Sequence, residues 1–320
     1  MPHASALEKL KDTESLLLNL RDLGRMGVGI MQALHHLRSF KPDVVFAKGG
    51  FVALPVAVAA RILGIPVVAH ESDVSPGIGS KVVSRWARKM AVGFPAELYG
   101  TTLGESVVFT GNPIRQEILG GNSKTSVAHF FGKVGATKTA ALPVVLIMGG
   151  SSGARTINQA VIAGLADLVK VARVIHIVGL HDYAAATQHA AELKLKPSQY
   201  RAFEFLQAAE MKQAYAAATV VVSRAGANTI TELAAMKLPT ILIPNHLMAA
   251  HQLVNAKRLA QADAIQLLAE EELNPQSLIT SISDLLNDSA RQKVLTANLH
   301  PVYVPDAADR IAKLLLEAAV

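Results

Sequence analysis

Short apolar runs, each closed by a small polar turn and followed by a helical pattern, recur along most of the chain. Residues 5 to 40 come first and read as helix, with Leu16, Leu17, Leu20, Met31 and Leu34 at helical spacing. The glycines between Gly24 and Gly29 predict a break in it. Pro42 to Ala47 then reads as a strand, Lys48-Gly49-Gly50 as a turn and Pro55 to Leu63 as a helix that Gly64 stops. Ile65 to Ala69 is the next strand, and it runs into His70-Glu71-Ser72-Asp73. Ile78 to Met90 has the spacing of a basic amphipathic helix, with Lys81, Arg85, Arg88 and Lys89 on one side and Val82, Val83, Trp86 and Met90 on the other.

Val107 to Thr110 is a short strand before Gly111-Asn112-Pro113-Ile114-Arg115. The stretch from Gly120 to Ala140 is rich in Gly, Ser, Thr and Lys and reads as a linker. A domain boundary is therefore expected between Arg115 and Leu142, giving units of 1–117 and 118–320. The second unit opens with a strand, Pro143 to Met148, the loop Gly149-Gly150-Ser151-Ser152-Gly153-Ala154-Arg155 and a helix from Thr156. Val174 to Val178 and Phe203 to Leu206 read as strands, Ala184 to Leu193 as a helix, and another helix starts at Glu210. Val220 to Ala256 reads as strand, turn, helix, strand and loop, and closing helices start at Glu270, Gln276 and Asp306. Strand, turn, helix, strand thus occurs in both halves, which predicts an α/β fold with ligands outside the carboxyl ends of the strands.

Composition narrows this. A chain of 320 residues, 51% hydrophobic, favours two domains with ample cores. Aromatics are only 5%, so those cores rest on Ala, Val, Leu and Ile, as in buried parallel sheets. Without cysteine there is neither a disulfide nor a thiolate zinc site. No secretory signal and no apolar run of membrane-spanning length is present. The net charge of +6 suits an anionic membrane surface or phosphorylated substrates. No nucleic-acid signature with interleaved aromatics accompanies it, so no nucleic-acid partner is expected. The basic segment around Trp86 reads either as a solvated helix face or as a membrane-surface contact.

Three places carry candidate chemistry. Gly226 and Ala227 start a helix whose first amides lack partners inside it, a setting that suits a phosphate. The Gly149 to Arg155 loop has the same form, without the Lys-Ser/Thr of a P-loop. Glu232, one turn into its helix, has two readings: acceptor for the hydroxyls of a ribose, or the glutamate of a T-x-x-E capping box begun by Thr229.

In order, KPDVVFAKGGFV, LGIPVVAHESD, FTGNPIR, MGGSSGAR and SRAGANTITELAAMKLP make the chain, from about residue 20 onward, resemble the MurG family. These are the family 28 UDP-N-acetylglucosamine:N-acetylmuramyl-(pentapeptide) pyrophosphoryl-undecaprenol N-acetylglucosaminyltransferases. The resemblance implies a GT-B fold, two Rossmann-like doubly wound domains facing a cleft, with the last helix packed back on the first. It implies inverting transfer of GlcNAc from UDP-GlcNAc to the C4 hydroxyl of lipid I, with no cofactor and no metal in the site; the alternatives are a GT-B glycolipid glycosyltransferase with another acceptor and a UDP-sugar-binding subunit that needs a partner chain for catalysis. It implies a protein peripheral to the cytoplasmic face of the plasma membrane, on the anionic inner leaflet. The donor would lie in the second domain and the lipid-linked acceptor in the first.

Carried over by position, Ser151 would contact the donor diphosphate, with Arg115 near it at the domain junction and Leu206 against the uracil. Ala227, Asn228 and Thr229, with Ile230 and Thr231 behind them, would bring the helix start to the phosphates, with Glu232 on the ribose. Gln252, and His251 beside it, would bond the GlcNAc hydroxyls. Asp73 falls where the family's HEQN motif has Asn. The family's opening strand and GGTGGH turn, with its histidine near the reacting hydroxyl, have no counterpart here. The first sheet is therefore expected to be incomplete, with an uncovered edge. A start assigned too far downstream is the favoured account, ahead of a partner chain that supplies the piece or a degenerate copy. His70, Glu71 and Asp73 are then the acidic or basic groups left on the acceptor side, with His70 and Glu71 the catalytic candidates and a satisfied structural histidine the plainer reading of His70.

Overall fold

The computed structural model describes residues 24–320 apart from 51, 100–105, 133–138, 151–153 and 246–249. The described chain opens with helix α1 over residues 24–40, unbroken through Gly24 to Gly29. Each glycine there costs about 1 kcal/mol of helix propensity, and packing outweighs that cost. Ala33, Leu34 and Leu37 are buried, and a side chain at Gly29 would meet Pro55 at 3.4 Å. Leu16, Leu17 and Leu20 lie outside the described residues, and Met31 is exposed.

The first sheet is parallel and runs in chain order: β1 (Val45–Ala47), β2 (Val67–Glu71), β3 (Lys89–Val92) and β4 (Val107–Phe109). Helix α2 (Ala53–Ile62) connects the first pair and α3 (Ile78–Val83) the second. The predicted basic helix thus stops after six residues, because Met90, Ala91 and Val92 are needed as a fully buried strand between β2 and β4. Ser84 turns the chain by donating to the Lys81 carbonyl at 3.0 Å.

The stretch expected to be a linker holds helix α4 (Ser123–Phe131), capped by the Asn122 side chain, which accepts from the Thr125 amide. Phe130 and Phe131 bury its inner face, and Ser126 donates to Gln213 at 2.6 Å. The polar composition of that stretch therefore belongs to the outer face of a docked helix.

The second domain has six parallel strands in the order β10-β9-β8-β5-β6-β7. They are β5 (Val144–Met148), β6 (Arg173–Ile177), β7 (Tyr200–Phe203), β8 (Val220–Ser223), β9 (Thr240–Leu242) and β10 (Gln266–Leu267). Between them run α5 (Arg155–Ala163), α6 (Leu165–Val171), α7 (Tyr183–Glu192), α8 (Ala208–Ala217), α9 (Ala227–Ala235) and α10 (Ala250–Gln261). Helix α10 replaces the predicted loop. Its apolar face, with Ala256 and Leu259 buried, was diluted by polar neighbours.

After β10, Glu270–Glu272 forms only a 3-10 turn, and three helices follow: α11 (Pro275–Asn287), α12 (Ser289–Leu299), unforeseen in the sequence, and α13 (Ala307–Ala318). Helix α13 returns to the first sheet and buries Ile311, Leu314 and Ala318 against Val68 and Ala91. It covers one face of that sheet while α1 and α2 cover the other. Among the described residues no helix is long and apolar enough to cross a membrane.

Candidate active site

In the second sheet the order reverses between β5 and β8, which pair side by side while their connections leave in opposite directions. Such a switch point opens a crevice at the carboxyl ends of the strands. Helices α5 and α9 both begin there. Between them lies a cleft of about 460 Å³ lined by Met148, Gly149, Gly150, Asn228, Thr229 and Glu232. Ile177, Gly179, Glu204, Phe205 and Leu206 form one end, and Pro113, Ile114 and Arg115, from the domain junction, cross the other side.

Gly226 is the N-cap of α9, and its backbone is extended. The Ile230 amide bonds the Gly226 carbonyl at 2.9 Å, so the amides of Ala227, Asn228 and Thr229 are those left without an acceptor in the helix. Thr229 therefore stands in the first turn, inside the helix, and no side chain caps it. The capping-box reading of Glu232 fails on this geometry. Its Oε2 instead accepts from the Tyr215 hydroxyl at 2.7 Å, and its Oε1 lies 3.6 Å from Nη2 of Arg115. Burial, with the Glu232 charge beside it, holds the Tyr215 phenol well above its usual pKa. Sequence spacing gave no sign of Tyr215, which comes from a different helix.

Ile230 and Thr231 face away from the cleft. Ile230 is buried in the core, and Thr231 Oγ1 donates back to the Ala227 carbonyl at 2.9 Å and accepts from Asn112 at 3.5 Å. Leu206 is buried at the cleft wall, in the loop after β7 instead of in a strand. Ser151 lies outside the described residues. Gln252 stands in the first turn of α10, and its Oε1 is buried without a hydrogen-bond partner among the described residues. An orphaned acceptor of this kind suits a ligand hydroxyl. His251 is exposed.

Behind the cleft, His176 on β6 is fully buried between Tyr200 and Asn158. Asn158, on α5, also donates to the Val178 carbonyl at 2.8 Å and to Asp182 at 2.7 Å, tying the helix behind the glycine loop to the Gly179 turn. Burial depresses the His176 pKa to about 3, so the imidazole is neutral.

The acceptor-side candidates are arranged differently. His70 and Glu71 end β2 and are 1% and 7% exposed. His70 Nε2 donates to the Gly111 carbonyl at 3.2 Å, leaving a buried Nδ1 with no partner among the described residues; desolvation lowers the pKa of His70. Glu71 accepts from the Asp73 amide with one oxygen and the Gly77 amide with the other, at 3.1 and 3.3 Å. Asp73 accepts from Asn255, on α10, at 2.7 Å, and the Val74 amide donates to the same Asn255 at 2.9 Å. Asn255 is fully buried and also donates to the Ala225 carbonyl, so it fastens the loop after β2 to the residues just before α9.

The model of the glycosyltransferase family 28 N-terminal domain matches residues 7–92, and that of the C-terminal domain matches residues 144–311. A UDP-N-acetylglucosamine--N-acetylmuramyl-(pentapeptide) pyrophosphoryl-undecaprenol N-acetylglucosamine transferase of Lachnospira eligens is 36% identical over 303 residues, 93% of this chain and 80% of that protein. The Bacillus subtilis protein of the same name is 36% identical over 308 residues, with the same coverage. Among solved structures, Acinetobacter baumannii MurG superposes with a TM-score of 0.71 at 27% identity, over 90% of this chain and 78% of that one. A Neisseria meningitidis UDP-GlcNAc 2-epimerase bound to UDP-GlcNAc, at 14% identity and a TM-score of 0.62 over 91% and 81% of the two chains, shares the fold alone.

Proposed function

The chain belongs to glycosyltransferase family 28, and from that premise we propose that it moves N-acetylglucosamine from UDP-N-acetylglucosamine to the muramyl C4 hydroxyl of lipid I, forming lipid II for peptidoglycan. One observation carries the reading: the cleft at the β5/β8 reversal gathers the free amides of α9, the Gly149-Gly150 turn, Arg115 and Glu232 around one nucleotide-sized space.

In an inverting transfer the sugar becomes oxocarbenium-like while negative charge builds on the departing UDP. Amide dipoles at the starts of α5 and α9 are oriented to receive that charge without reorganising, and the half-exposed Arg115 guanidinium joins them by turning from Glu232. We assign the ribose to Glu232, the uracil end to Leu206 and the GlcNAc hydroxyls to Gln252, where a wrong sugar would leave Oε1 unpaired. Ser151 is assigned to the diphosphate by its place in the glycine loop.

On the acceptor side, we assign His70 and Glu71 to shaping the loop that carries Asp73, since both are buried and a general base must reach the proton it takes. The same observation favours a second reading, in which this chain binds the nucleotide sugar and a partner chain supplies the base. In α3 Lys81 is exposed one turn after Ile78, which is 82% exposed, and Arg85 is exposed just beyond the helix. That surface suits an anionic leaflet, with the protein peripheral to the cytoplasmic face of the plasma membrane. Trp86 is half-buried, with the Arg61 guanidinium 5.0 Å from its ring centre, so Ile78 is the better interfacial anchor.

The test is turnover. Purified protein with UDP-N-acetylglucosamine and a lipid I analogue should give the disaccharide product and UDP. Donor binding with product only after addition of a fragment bearing the family's GGTGGH turn would select the second reading. No donor binding at all would overturn both.

A further inference from the structure

We propose that Tyr215 is a positioning residue for the nucleotide: its hydroxyl fixes the Glu232 carboxylate so that the cleft prefers a ribonucleotide to its 2′-deoxy counterpart. The proposal deepens the function above and rests on Glu232 meeting the ribose.

The two oxygens of Glu232 are held unequally. Oε2 accepts a 2.7 Å hydrogen bond from Tyr215, a side chain near the end of α8 that is 1% exposed and forms part of the cleft wall. Oε1 faces Arg115 at 3.6 Å, beyond hydrogen-bond length, and the Arg115 side chain is 52% exposed. One oxygen is therefore tethered by a neutral group fixed in the core, and the other by a cation free to swing away. Burial and the Glu232 charge hold the phenol well above its usual pKa, so toward the carboxylate it acts as the donor.

A cis-diol donates two O–H groups and is best met by a carboxylate whose plane is already set. The terminal torsion of a glutamate is broad when nothing holds it. Fixing it on folding removes an ordering cost from the binding step. A site so prepared discriminates, because a 2′-deoxyribose leaves unused one of the two carboxylate lone pairs turned toward the ligand. If the tether is lost, Glu232 is free to turn toward Arg115, and the cost falls on the nucleotide that uses both lone pairs.

The experiment is calorimetric titration of the full chain with UDP and with 2′-deoxy-UDP, using wild type, Tyr215→Phe, Glu232→Ala and the double variant. Tyr215→Phe keeps the ring and removes one hydrogen bond to a charged group, so UDP should bind about tenfold more weakly. Binding of 2′-deoxy-UDP should change less than about twofold, and in the Glu232→Ala background the tyrosine change should add nothing. Equal weakening of both nucleotides by Tyr215→Phe would overturn the proposal, since a merely structural role lowers both alike. An unchanged UDP to 2′-deoxy-UDP ratio in Glu232→Ala would instead remove the ribose assignment itself.

Discussion

The two sheets are built from the same strand-turn-helix unit, yet they treat the ends of their strands in opposite ways. In the second, the reversal between β5 and β8 opens a crevice, and the free amides of α9 and the Glu232 carboxylate face into it. In the first, the described strands follow one another in order, and the polar residues after β2 bond to their own loop and to Asn255 across the junction. Polar residues at a strand end line an open crevice only where the topology leaves room for one. Elsewhere the same residue types serve as loop fasteners.

The largest test of that contrast is Glu232→Ala. It should weaken UDP binding about 100-fold, as expected for removing two hydrogen bonds to a charged group, and cost about 1 to 2 kcal/mol of stability by leaving the buried Tyr215 hydroxyl without its acceptor. Unchanged UDP affinity would return the cleft to a packing feature. Next is Asn255→Ala, which leaves the Val74 amide and the Asp73 carboxylate without their shared partner. Denaturant unfolding should show a loss of about 2 kcal/mol, with kcat lowered more than UDP affinity.

Glu71→Gln is smaller. One amide keeps an acceptor oxygen while the other meets an NH2, a cost of about 1 to 2 kcal/mol, and UDP affinity should stay within about twofold. A kcat loss above about 100-fold at unchanged stability would make Glu71 a chemical participant and dissolve the contrast.

The smallest effect is pH dependence. His176 has a folded pKa of about 3, below its unfolded value near 6.5, so its burial favours the neutral form. Its contribution is complete above pH 6.5 and is lost progressively as pH falls toward 3. About 1 kcal/mol should be gone by pH 5.5. Unfolding curves at pH 7 and 5.5 should differ less in His176→Asn than in the parent. His70, also lowered, contributes with the same sign in the first half.

Much of the fold was legible because parallel strands buried on both faces are continuous apolar runs bounded by turns, as at Val144–Met148 and Val220–Ser223. The errors have two causes. Helices α4, α10 and α12 present narrow apolar faces among polar residues, and local composition hid them. The supposed basic helix failed because sheet pairing claimed Met90 to Val92. In the site, a helix start after a strand was visible in Gly226 and Ala227. The partners of Glu232 were not, because Tyr215 and Arg115 reach it from α8 and from the domain junction. Nor could spacing reveal that His70 and Glu71 would be buried, since nothing local marks how a loop folds over its own strand.

The most direct measurement is a crystal structure of the protein with UDP. The account predicts the diphosphate at the amides of Ala227 to Thr229 and the Gly149-Gly150 turn, the ribose on Glu232 and Arg115 swung toward the phosphates. UDP bound elsewhere, with the Arg115 and Glu232 pair still closed over an empty cleft, would contradict it.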